Sequence, residues 1–170
     1  SPSSTTVPAP SPADDTSATA IPHLRVFLSS PGDVGQERLI AARVIERLSG
    51  EFTGYVELEP ILWEHEPLRA SDHFQAQILP PSQSDIVVCI LWSRLGTRLP
   101  AQFQREDGTL YASGTEWEFE DALASFQKTG RPDLMVYKKT AEPQASMADE
   151  AALLARLQQK KALDSFIEKW

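Results

Sequence analysis

Cysteine is almost missing from this chain: Cys89 is the only one among 170 residues. A disulfide within the chain is thereby excluded, and a reducing compartment, the cytoplasm, is expected. Because Cys89 lies in the apolar run Ile86-Val-Val-Cys-Ile-Leu-Trp92, it reads as a small buried hydrophobe rather than a nucleophile. Basic clusters are missing too. Sixteen Lys and Arg face 24 Asp and Glu, for a net charge of -8 and a pI near 4.9. Only the pairs Lys138-Lys139 and Lys160-Lys161 stand out, so no nucleic-acid partner is expected, since that needs a basic face. No apolar stretch approaches the roughly 20 residues of a membrane span, and the N-terminus lacks the charged-then-apolar order of a signal peptide. No membrane partner is expected. His23, His65 and His73 show no ligand spacing, so no metal site is expected either.

What is present divides into two parts. Residues 1–21 are almost wholly Ser, Thr, Pro, Ala and Asp. Such a segment cannot bury enough surface to offset the entropy of ordering, and it reads as a disordered tail or linker. Residues 22–170 have ordinary globular composition and a length that supports one hydrophobic core.

The pattern in that second part alternates. Residues 24–29, Leu-Arg-Val-Phe-Leu-Ser, predict a buried strand. Ser30-Pro-Gly-Asp33 turns the chain, and Asp33 is expected to cap a helix, with Gln36 in capping-box position. Val34, Ala41, Val44, Ile45, Leu48 and Phe52 follow at helical spacing. A second strand is predicted over 55–63, then a short helix over 73–79 stopped by Pro80-Pro81. Residues 85–92 predict a strand buried on both faces. A long connection leads to a helix over 115–128, a fourth strand over 134–137 and a final helix over 146–170, with a break near Lys160. Strands alternating with helices imply a doubly wound, flavodoxin-like parallel sheet of about four to five strands, helices on both faces. Because the pattern stops after a helix, a longer polypeptide is expected.

In such a sheet ligands lie at the carboxyl ends of the strands, where strand order reverses. Two segments meet there if the first strand neighbours the third: Ser29-Ser-Pro-Gly-Asp33, and Ser93-Arg94 with the returning Ser113-Gly-Thr-Glu-Trp-Glu118. Ser29, Ser30, Asp33, Arg94 and Thr115 are therefore candidates for lining a cleft. Gly32 would permit close approach of a phosphate to the helix start, with Arg94 adding charge. A turn of this kind is also an ordinary helix cap. Trp63 ends the second strand on the same side, either packing or stacking on a ligand.

Glu118 is the candidate catalytic residue. With Thr115 as cap it falls in the first helical turn, about 90° from the buried stripe of Phe119, Ala122, Leu123 and Phe126, on the flank where it can line a cleft. The helix N-terminus favours its ionised form. A carboxylate placed so can stabilise positive charge on a sugar during N-glycosidic cleavage. With NAD as substrate the leaving group is already a pyridinium, so a single carboxylate suffices. The plainer reading is that Thr115-x-x-Glu118 is a capping box. Glu116, on the opposite flank, is the rival carboxylate. Trp117 projects from the buried stripe, either to meet a partner or to cover neighbouring loop.

Four motifs in order carry a resemblance: Arg25-Val-Phe-Leu-Ser-Ser-Pro-Gly-Asp-Val34, Ile90-Leu-Trp-Ser-Arg-Leu-Gly-Thr97, Ser113-Gly-Thr-Glu-Trp-Glu-Phe-Glu-Asp-Ala122 and Lys161-Ala-Leu-Asp-Ser-Phe-Ile-Glu-Lys-Trp170. Together they resemble a TIR-like family found at the N-terminus of bacterial STAND-type ATPases, related to Toll/interleukin-1 receptor domains. The resemblance implies a cytoplasmic effector or signalling module that self-associates, has ATPase or sensor domains downstream, and hydrolyses NAD on assembly. Glu118-Phe-Glu-Asp-Ala122 is similar to the TIR pattern around the carboxylate serving NAD cleavage. Gly114-Thr-Glu-Trp-Glu118 is similar to an element of nucleoside deoxyribosyltransferases. Both select Glu118 over Glu116. The chain departs from typical TIR domains in lacking their Trp-Cys ahead of the Glu. A non-catalytic self-association adaptor and a deoxyribosyltransferase-like enzyme are the alternatives.

Overall fold

The computed structural model describes residues 19–62, 79–96, 98–99 and 101–170. Trp63 and all but Leu79 of the short helix expected over 73–79 lie outside them. The elements are β1 (His23–Ser29), α1 (Gly35–Glu51), β2 (Glu57–Leu62), β3 (Ile86–Leu91), α2 (Gly114–Thr129), β4 (Asp133–Lys138) and α3 (Glu150–Lys169). The four strands are parallel throughout and ordered β2-β1-β3-β4. This is the flavodoxin-like doubly wound arrangement, with the order reversing between β1 and β3.

Strand alternation divides the core into two faces. Val26 and Leu28 pack with Ala42 and Ile45 of α1. On the other face, Cys89 and Leu91 pack with Phe119 of α2 and with Leu163 and Phe166 of α3. Phe27, Val87 and Ala122 continue that layer. The Phe119 and Phe166 rings meet edge to face at 5.0 Å, joining α2 to α3.

Several expectations need correcting. Val44, Phe52 and Phe126, read as inward-facing, are about half exposed: Val44 lies about 100° around α1 from its buried neighbour Ile45, Phe52 is past the helix end, and Phe126 is in the last turn of α2. β3 is fully buried only toward α2 and α3, as Ile86 and Val88 on the α1 face are half-buried. The final helix runs unbroken past Lys160. β4 is the edge strand among the described residues, and its Met135, Val136 and Tyr137 are exposed. No helix among the described residues is long and apolar enough to cross a membrane.

Candidate functional site at the carboxyl ends of β1 and β3

β1 and β3 run side by side, with Ser29 level with Cys89. Both chains turn just beyond this level, and the two turns are strapped together by Asp33. Its Oδ2 accepts from the Ser93 backbone N–H at 3.0 Å and from the Ser93 hydroxyl at 2.8 Å. Asp33 was expected to cap α1; instead no side chain caps that helix, and no Asp33–Gln36 capping box forms. Tertiary partners 60 residues away outcompete the local cap, giving the carboxylate two donors at once.

Arg94 lies against the first turn. Its Nε is 3.8 Å from Asp33 Oδ1, an ion pair without a hydrogen bond. A Cβ at Gly32 would stand 2.7 Å from Arg94 Nη2. The room left by the missing side chain is thus taken by a guanidinium, not held open for a phosphate.

The chain then folds back at Gly96, whose φ of +114° favours glycine. A Cβ there would be 3.4 Å from Ser113 Cβ and 3.6 Å from Thr115 Oγ1, so this turn closes over the start of α2. Ser113, not Thr115, caps that helix, accepting from the Glu116 N–H at 3.1 Å. Glu116 reaches back to the Ala112 N–H at 2.6 Å and receives Arg105 Nη2 at 2.9 Å. In the sequence Ser113-x-x-Glu116 and Thr115-x-x-Glu118 overlap as equally good capping boxes. Ser113 is the cap that is used, with Glu116 closing on the N–H of Ala112, one residue before it, so Glu116 is a structural residue and the capping reading of Thr115-x-x-Glu118 is not realised.

Glu118 is fully buried, at 0% exposure. The expectation that it sits at a flank open to a cleft is therefore corrected: the helix wheel places it beside the stripe, but the turn at Gly96 and the end of β3 enclose the helix's first turns. Its charge reaches Cys89. The Cys89 thiol is pushed up to about 12, first by burial and next by the negative charge of Glu118, with the Ser29 hydroxyl opposing weakly. Such a thiol stays protonated and is no nucleophile. Ser29, Ser30 and Thr115 are buried with Glu118 at this end of the sheet. The hydroxyls of Ser30 and Thr115 find no hydrogen-bond partner among the described residues. Buried hydroxyls of this kind are uncommon and call for a reason.

Arg105 carries much of this geometry without any signal in the sequence, and Ser93, expected there only as part of the turn after the third strand, supplies both donors to Asp33. Arg105 sits in the β3–α2 connection and donates to Glu116, to Glu120 at 3.0 and 3.2 Å, and to the Leu110 carbonyl at 3.0 Å. Its guanidinium also covers the Tyr111 ring at 4.5 Å. Glu120 bonding raises its already high pKa further. No short spacing announces such a hub, because its acidic partners lie 11 and 15 residues downstream. Trp117 meets Phe103 of the same connection edge to face at 6.3 Å, so it covers neighbouring loop.

A groove of about 620 Å³ adjoins this end of the sheet. It is lined by Asp33, by Trp92 to Arg94, by residues 142–145 and by one side of α3. A smaller hollow of about 270 Å³ lies between Leu95-Gly96 and α3. Glu118 lines neither. The chain matches no protein-family model, no curated protein and no solved structure.

Proposed function

We propose that this domain is a TIR-like effector or signalling module of a bacterial defence or signal-transduction protein, one that cleaves the N-glycosidic bond of NAD once assembled. Glu118 carries the reading: it is a carboxylate buried where strand order reverses, while Ser113 and Glu116 cap its helix. In the reaction the bond between ribose C1′ and the pyridinium nitrogen breaks, and its electron pair returns to the ring. Nicotinamide departs neutral, so no general acid is needed. The Glu118 carboxylate stabilises the positive charge left on the sugar. Water adds at C1′ and loses a proton to solvent, giving ADP-ribose, nicotinamide and H⁺. The Ser30 and Thr115 hydroxyls, which have no hydrogen-bond partner among the described residues, suit the ribose hydroxyls.

Full burial of Glu118 means that sugar reaches it only after the turn over α2 opens. Assembly with further copies, driven by ATPase or sensor domains downstream in a cytoplasmic polypeptide, is the proposed trigger. The same burial favours a second reading, a non-catalytic adaptor. On that reading the exposed apolar residues of β4 serve association alone.

Nicotinamide release by the full-length, oligomerised protein separates the two. Release that tracks assembly supports the effector, whereas none from a demonstrably assembled sample leaves the adaptor. Nucleobase exchange with a deoxynucleoside would instead point to a deoxyribosyltransferase-like enzyme.

A further inference from the structure

α3 has one face and two environments. Leu163 and Phe166 near its C-terminus pack into the core beneath α2. Toward its N-terminus, Leu153, Arg156, Leu157 and Lys160 repeat at i, i+3, i+4 and i+7 on one side. Leu153 is half-buried and the other three are exposed. All four line the groove of about 620 Å³, opposite Trp92, Arg94 and residues 142–145. The volume falls in the range of small-molecule sites, about 300–1,000 Å³.

The lining has a distinctive chemistry. Leu153, Leu157, Trp92 and Pro143 make it largely apolar, while Arg94, Arg156 and Lys160 bring three cations to a chain whose net charge is -8. Two carboxylates, Asp33 and Glu142, also line it, but Asp33 is engaged by both donors of Ser93. The cations retain capacity. Arg156 uses Nη1 on the Gln144 carbonyl at 2.5 Å, which ties the β4–α3 loop to α3 and leaves four of a guanidinium's five donors. Lys160 pairs with Asp164 at 2.7 Å at an exposed site, a pairing weak enough to be shared. Arg94 holds its Nε 3.8 Å from Asp33 Oδ1, an ion pair without a hydrogen bond, while its side chain stays 42% exposed.

We propose that this groove binds the phosphates of a nucleoside diphosphate, with Arg94, Arg156 and Lys160 on the phosphate oxygens and the base against the apolar lining. The planar guanidinium forks suit phosphate oxygens, and a flat heterocycle suits an apolar wall. The inference deepens the proposed function by assigning the adenylate half of the dinucleotide to the groove, yet binding there needs no turnover.

ADP, inorganic pyrophosphate and adenosine are titrated separately into the intact chain by calorimetry. The comparison is repeated on Arg156→Glu/Lys160→Glu, two exposed positions where substitution spares the core, and on Glu118→Gln. ADP should bind, pyrophosphate more weakly, and the double variant should lose at least about tenfold in ADP affinity with its melting temperature kept. Glu118→Gln should bind ADP as the parent does. No binding at millimolar ADP, adenosine binding as well as ADP, or ADP binding unchanged in the double variant overturns the groove. ADP binding with no nicotinamide release from the assembled full-length protein would keep the groove and reject the catalytic reading. Release unaffected by the double variant would do the reverse.

Discussion

The Asp33 carboxylate accepts both the backbone N–H and the hydroxyl of Ser93, and so joins the turn after β1 to the turn after β3. These turns frame the point of strand reversal where the proposed chemistry lies. Asp33→Ala leaves the Ser93 N–H without its acceptor in a half-buried site and should cost about 1–3 kcal/mol. Asp33→Asn keeps one oxygen acceptor and should cost less. Urea denaturation of the three proteins checks this; equal stability of Asp33→Ala and the parent would show that the strap is dispensable.

Arg105 holds the β3–α2 connection to the first two turns of α2 through Glu116 and Glu120. Its removal leaves two partly buried carboxylates without their shared cation. Arg105→Ala should destabilise by about 1–3 kcal/mol, and Arg105→Lys should recover only part of that, lacking the planar fork. Amide exchange should quicken across 101–113 in the alanine variant. Unchanged exchange there would contradict the role.

How far the sequence predicts this molecule varies with how local each signal is. The run Ile86–Leu91 announces β3 because an unbroken apolar segment needs no outside information. Parallel order follows from the alternation of strands and helices. Asp33 misleads because a capping signal is local, whereas its real partner is 60 residues away. Glu118 is legible as a residue beside the buried stripe, but a helix wheel carries no knowledge of the turn at Gly96 that closes over its helix's start. Arg105 is illegible for the same reason, as its partners are brought together only when the long connection folds back.

Cys89 gives a prediction with a defined sign. Burial, reinforced by Glu118, raises its thiol from the ordinary 9.0 to about 12. The fold favours the neutral form, so this contribution is complete below 9.0 and is lost as pH rises toward about 12. At about pH 8 the native thiol should resist a disulfide reagent and react only in denaturant. Between about pH 8 and pH 10 the parent should lose more stability than Cys89→Ala. Rapid labelling of the native protein would contradict the burial and the charge placed beside it.

The carboxylates two residues apart on α2 differ: Glu116 caps and pairs with Arg105, whereas Glu118 is buried and is the one proposed to meet the sugar. The direct measurement is nicotinamide release from NAD by the assembled full-length protein, comparing Glu118→Gln with Glu116→Gln at matched folded fraction. Release should fall by at least about a hundredfold in Glu118→Gln, in keeping with loss of a transition-state charge partner, and survive in Glu116→Gln. Release that persists in Glu118→Gln, or that vanishes only in Glu116→Gln, would contradict the assignment.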